Sequence, residues 1–188
     1  EEHKKELLEI ADWWKGKVLW DRGRALMSQE LRDLQDSAII KATGNLTSGD
    51  AHIAVDFPKI LKIGLKGYLD EIEHYHKQVK RYEQQGIRKD HFYNALTISI
   101  KAFSAFIKRY SNLANSLAEK EKNIERKKEL QTIAENCRII SQQPPENFYQ
   151  ALQLTYLVQL VLQIESNGHS VSLGRLDQYL FPFYQKDK

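Results

Sequence analysis

Cysteine, proline and glycine are all scarce in this 188-residue chain, which has one, four and nine of them. With Cys137 alone, neither an internal disulfide framework nor a zinc site built on paired cysteines can form. So few chain-breaking residues leave room for long elements. An excess of one charge is missing as well. The 28 lysines and arginines face 25 acids, a net charge of +3, which gives no reason to expect a nucleic acid or a membrane surface as partner. Residues 1–5 are charged and lack the apolar stretch of a secretory signal. No run reaches the ~18 apolar residues that a membrane span needs. A cytoplasmic protein in a reducing compartment is expected, with Asn45-Leu46-Thr47 a chance match to the glycosylation pattern. What is present suffices for a core: apolar residues make up 41% of the chain and aromatics 10%. A folded chain of this length buries roughly 70% of the surface it exposes when unfolded, and one domain, two at most, is the expectation.

The periodicity is helical throughout. Leu7, Leu8, Ile10, Ala11, Trp14 and Val18 mark one face of a helix over residues 2–20, weakened near its end by Gly16. A shorter helical stretch follows over 21–35, and residues 43–50 have the small, polar composition of a loop. Asp56-Phe57-Pro58 opens another helix, with Asp56 able to cap free N–H groups and Pro58 harmless in a first turn. Ile60, Leu61, Leu65, Leu69, Ile72 and Val79 carry that helix to about Gln85, where Gly86 ends it. Long helices are predicted over 89–121 and 123–140. Pro144-Pro145 punctuates, and Pro145 suits the first turn of a helix over 146–166 that is apolar nearly all round and therefore a buried core helix. Val171-Ser172-Leu173-Gly174 reads as a short strand. The predicted class is mostly α, with one short strand near the C-terminus.

Most residue types capable of chemistry have plain explanations. His74 and His76 sit two apart in a helix, project to different faces and cannot chelate one ion, and no metal site is expected. His3 and His91 are uninformative. Cys137 lies on an apolar helical stripe, as a buried inert thiol would. Arg126-Lys127-Lys128 alternates with acids and reads as a solvated face. Two places stand apart. His52 lies at a junction between loop and helix among small residues, where an imidazole either serves structure or faces a cavity. In Glu165-Ser166-Asn167-Gly168-His169-Ser170 the apolar helix ends at a glycine suited to the left-handed conformation. It hands over to a donor–acceptor pair, His169 and Ser170, at the position where pockets place orienting hydrogen bonds.

The block from Ile164 to Leu180, containing Glu165-Ser166-Asn167-Gly168-His169-Ser170 and Gly174-Arg175-Leu176-Asp177-Gln178-Tyr179, resembles the glycyl radical enzymes of the pyruvate formate-lyase superfamily. It is most similar to their glycerol and diol dehydratase branch. Trp13-Trp14-Lys15-Gly16-Lys17, Arg109-Tyr110-Ser111, Arg126-Lys127 with Glu129-Leu130, and Pro144-Pro145 with Phe148 and Ala151-Leu152-Gln153 are collinear with the N-terminal half of that family. The resemblance implies that His52 lines the substrate cavity and acts as catalytic proton donor, and that His52, His169 and Ser170 hydrogen-bond substrate hydroxyls. Ala51 stands where the family usually has glycine. It implies an N-terminal portion, residues 1–188, of a ten-stranded β/α barrel enzyme, with a helical and loop lead-in over 1–50 and a helical layer over 51–188 that leads into the first barrel strand.

For the parent enzyme the resemblance implies anaerobic radical chemistry. A separate S-adenosylmethionine-dependent iron–sulfur activase installs a glycyl radical, which passes to a cysteine that abstracts a substrate hydrogen. The neighbouring hydroxyl of a glycerol or 1,2-diol substrate then leaves as water. The Gly-Cys-hydrophobic-Glu loop and the radical-glycine loop that this requires do not occur in the sequence, and Cys137, between Asn136 and Arg138, fits neither. The chain by itself is therefore expected to bind no cofactor and to be inactive. Its partners are expected to be the remainder of the parent enzyme, the activating enzyme and a small hydroxylated substrate, with the parent a homodimer. Formate C-acetyltransferase, decarboxylase or C–N lyase chemistry is the alternative inside the family, and a non-catalytic helical scaffold the alternative outside it.

Overall fold

A computed structural model describes residues 2–40, 53–166 and 170–188. They pack as two compact units, one of residues 1–53 with 162–172 and the other of residues 54–161 with 173–188.

The first unit contains α1 (Glu2–Trp14), α2 (Leu19–Ala25) and α3 (Gln29–Asp36). The helix expected over 2–20 is divided, because Gly16 adopts φ +75° and its N–H turns to the Asp21 carboxylate at 2.8 Å. Ser28 caps α3 by accepting from the Leu31 N–H, and Arg24 forks onto both oxygens of Asp36 at 2.8 and 2.9 Å, tying α2 to α3. Residues 3–14 of α1 are all exposed, among them Leu7, Ile10, Trp13 and Trp14. The expected loop over 43–50 lies outside the described residues.

The second unit is a stack of helices. In α4 (Phe57–His76) Asp56 accepts from the Lys59 N–H at 3.1 Å and Pro58 occupies the first turn, as the sequence predicts. The helix is broken inside by Gly64, at φ +65° and ψ −178°. The turn Gln142-Gln143-Pro144 fits into that break, and the Lys66 N–H donates to the Gln142 carbonyl at 2.8 Å. α4 ends at His76, nine residues before the predicted end at Gln85. Gly86, expected to terminate it, instead opens α5 (Gly86–Lys120), where a Cβ would overlap the Lys80 carbonyl oxygen. α6 (Ile124–Ile140) is capped by Asn123, which accepts from the Arg126 N–H, and is joined to α5 by the Ser111 hydroxyl donating to the Ala134 carbonyl at 2.7 Å. Phe57, Leu65, Ile107, Ile140 and Leu154 are the fully buried centre of this unit.

The apolar helix is α7 (Phe148–Ser166), whose last residues belong to the first unit. Pro145 lies before it rather than in its first turn. Asn147 caps it by accepting from the Gln150 N–H, and the Gln150 side chain accepts from the Glu146 N–H. α7 is not buried all round. Ala151, Leu154, Thr155 and Val158 face the core, while Tyr149, Leu152 and Tyr156 are open. Two short helices, α8 (Leu176–Tyr179) and α9 (Phe181–Asp187), complete the second unit.

The class is mostly α, as predicted, but the expectation of one strand is corrected. β1 (Ile53–Ala54) and β2 (Val171–Ser172) are hydrogen-bonded neighbours. A two-residue strand leaves no alternation to read, which is why β1 reads as part of a junction. β2 stops short of Leu173-Gly174, since Gly174 at φ +65° turns the chain out of the extended direction.

A carboxylate clasp holds the connection between α4 and α5. Asp90, 8% exposed, accepts from Arg81 at 2.5 Å and Asn94 at 3.3 Å and contacts His76 Nε2 at 2.8 Å. The Arg81 guanidinium, and then His76, hold its carboxyl below the usual aspartate range. Because folding lowers this pKa, the contribution to stability is whole above the ordinary value of 3.8 and fades as the pH falls below it. Asp90→Asn is expected to melt below the unsubstituted chain at neutral pH, with the gap closing in acid. A gap that persists undiminished to about pH 2.5 in thermal melts contradicts the assignment.

Candidate functional site

In the sequence the candidate residues come just before the two paired strands. His52 immediately precedes β1, and His169-Ser170 immediately precedes β2. His52 and His169 lie outside the described residues. Ser170 is described: it is exposed and holds φ +55°, left-handed backbone that a serine rarely adopts. Such conformations cost of order 1–3 kcal/mol, and Ser170 shares this one with Ala38 and Gln85 among the described residues.

Beyond the strands, both segments are pinned in the second unit. The Tyr179 ring stacks on Phe57, the first residue of α4, with centroids 5.0 Å apart, and its hydroxyl donates to the Leu173 carbonyl at 2.8 Å. Burial pushes the Tyr179 phenol up, so it remains a donor. Arg175 forks onto Asp177 at 3.0 and 2.7 Å, which holds that carboxyl below its usual range. The chain leaving β1 and the chain leaving β2 therefore meet at a fixed point. Periodicity shows none of this, because it depends on a tyrosine outside any regular repeat.

A cavity of about 580 Å³ lies beside that point, lined by Pro58, Leu61, Leu173, Tyr179 and Phe183, with Lys62 and Arg175 among its polar residues. Its lining follows both strands in sequence, whereas His52, His169 and Ser170 precede them. Ser170 is not among the residues that line it.

The remaining sequence candidates fall into place. Cys137 is buried, and burial pushes its thiol up while Gln153 donates to the sulfur at 3.0 Å, as suits an inert thiol. His74 and His76 serve different neighbours, Gln78 and Asp90. Among the described residues no group of three His, Cys, Asp or Glu could hold a metal ion, and no helix is long and apolar enough to cross a membrane.

Residues 1–188 match the pyruvate formate lyase-like family from end to end. The chain belongs to that family, the glycyl radical enzymes. It is 45% identical over 187 residues, 100% of this chain and 23% of the relative, to the probable dehydratase YbiW of Escherichia coli strain K12. It is 37% identical over 190 residues to the (2S)-3-sulfopropanediol dehydratase of Klebsiella oxytoca, covering 100% of this chain and 23% of that one. Among solved structures, the glycerol-bound B12-independent glycerol dehydratase from Clostridium butyricum superposes with a TM-score of 0.83 at 31% identity, covering 100% of this chain and 24% of that one. The chain thus spans about a quarter of the length of these relatives. Neither a Gly-Cys-hydrophobic-Glu loop nor the radical-glycine loop occurs in its sequence.

Proposed function

We propose that this chain is the N-terminal portion of a glycyl radical dehydratase that eliminates water from glycerol or a related 1,2-diol. His52 donates the proton to the departing hydroxyl, and His169 and Ser170 orient the remaining hydroxyls. The observation that carries this reading is the β1–β2 pair, whose two strands are entered from His52 and from His169-Ser170. The left-handed Ser170 and the dehydratase relatives support it.

A hydroxide ion is a poor leaving group, and an imidazole near its ordinary pKa of about 6.5 is well matched to protonate it at neutral pH. With the proton delivered, the carbon–oxygen bond breaks, water departs, and a diol loses H₂O overall to become an aldehyde. The hydroxyl groups left on the substrate need partners in a closed site, where an unpaired polar group costs ~1–3 kcal/mol, and this is how His169 and Ser170 select a hydroxylated substrate. The radical is supplied by the remainder of the enzyme, installed by an S-adenosylmethionine-dependent iron–sulfur activase under anaerobic, cytoplasmic conditions. The isolated chain is inactive, and the parent is a homodimer.

The test uses the complete enzyme, activated anaerobically and offered glycerol and 1,2-propanediol. The expected product is an aldehyde with one fewer water than the diol. Radical formation without turnover of either diol, while a decarboxylation or carbon–nitrogen cleavage proceeds, overturns the dehydratase reading.

A further inference from the structure

The helix α7 carries a feature that the site does not use. Tyr149, Leu152 and Tyr156 are 47%, 43% and 63% exposed and follow one another at spacings of three and four, so they form a single stripe along one face. The opposite face, with Ala151, Leu154 and Val158, is buried in the second unit. Between Phe148 and Ile164 the helix contains no charged residue at all. Helices that show a face to water in this protein look different. The exposed side of the neighbouring α6 carries Glu125, Lys128, Glu129, Glu135 and Arg138. An uncharged apolar stripe opposite a buried one is the pattern of a helix covered on both sides.

We propose that this stripe is the seat on which the rest of the parent polypeptide packs. This rests on the reading of the chain as one portion of a longer enzyme. The occupant is argued from length and from chemistry. The relatives that match this chain end to end are some four times as long, so a large body of polypeptide is available to cover it. The lack of any charge on the stripe suits permanent burial, since surfaces that associate and dissociate keep a polar rim.

Hydroxyl-radical footprinting of the full-length, unactivated enzyme tests this without any substitution, because tyrosine side chains report their own access to solvent. Tyr149 and Tyr156 are expected to be oxidised about tenfold or more slowly in the folded enzyme than in the same protein unfolded in urea. Oxidation of both at the unfolded rate overturns the proposal. Protection that vanishes when the enzyme is diluted to monomers also overturns it, by showing that a second copy is the occupant. The two readings fail separately. An inactive or differently reacting enzyme with both tyrosines shielded removes the dehydratase assignment alone, and an active dehydratase with open tyrosines removes this one alone.

Discussion

Replacing His52 by alanine in the complete enzyme is expected to lower turnover by about two to four orders of magnitude, the usual worth of a positioned general acid. The melting temperature is expected to change far less than the turnover. The pH profile carries the sharper signature. A proton donor must hold its proton, so the rate of the unsubstituted enzyme should fall as the pH rises through the range in which imidazoles titrate, and His52→Ala should lose that limb. Full turnover in His52→Ala, with the limb intact, removes the residue from the mechanism and leaves proton delivery to His169 or to the missing part of the enzyme.

Gly64→Ala is the substitution expected to cost the fold most. At φ +65° and ψ −178° the backbone occupies a region that is essentially glycine's alone. A Cβ there would lie 2.5 Å from the Pro144 nitrogen and 2.6 Å from the Gln143 carbonyl carbon, both backbone atoms that cannot swing aside. Conformational strain and displacement of the 142–144 turn act together, and with them goes the hydrogen bond from Lys66 to Gln142. A loss of about 4 kcal/mol follows from strain and broken packing of this kind, or a fall in melting temperature of roughly 10 °C for a chain of this size. Gly16→Ala is the control. Gly16 also has positive φ, at +75°, but a Cβ there meets nothing within 4 Å, so only the conformational cost of about 1 kcal/mol remains. Equal effects at the two positions would contradict the packing argument.

The contrast between those glycines also explains what was legible in the sequence. Side chains that act on their own helix ends could be read directly: Asp56 and Asn123 cap where their types and positions predict. Features made by contact between distant segments could not. The apolar spacing of α4 runs straight through Gly64, and nothing nearby announces that a turn eighty residues later fills the break. Gly86 gave the wrong sign for the same reason. A glycine after a helical stretch reads as a terminator, whereas this one is required by the nearness of the Lys80 carbonyl. α7 reads as buried all round because hydropathy reports what a face prefers, not what covers it, and Tyr149, Leu152 and Tyr156 are exposed. Of the candidate site, the residue types at 52, 169 and 170 were legible through the family resemblance. The pairing of β1 with β2 and the backbone of Ser170 were not, being set by tertiary structure.

That pairing has a consequence for how the protein is made. β1 and β2 are separated by all of α4, α5, α6 and α7, and closing so long a loop is entropically unfavourable until the intervening helices have formed and drawn its ends together. During synthesis β1 emerges early and must wait, unpaired, until Val171 has left the ribosome. Formation of the β1–β2 pair is therefore a late event on the folding pathway, and a nascent chain halted anywhere before β2 is helical, compact in part, and without the pair.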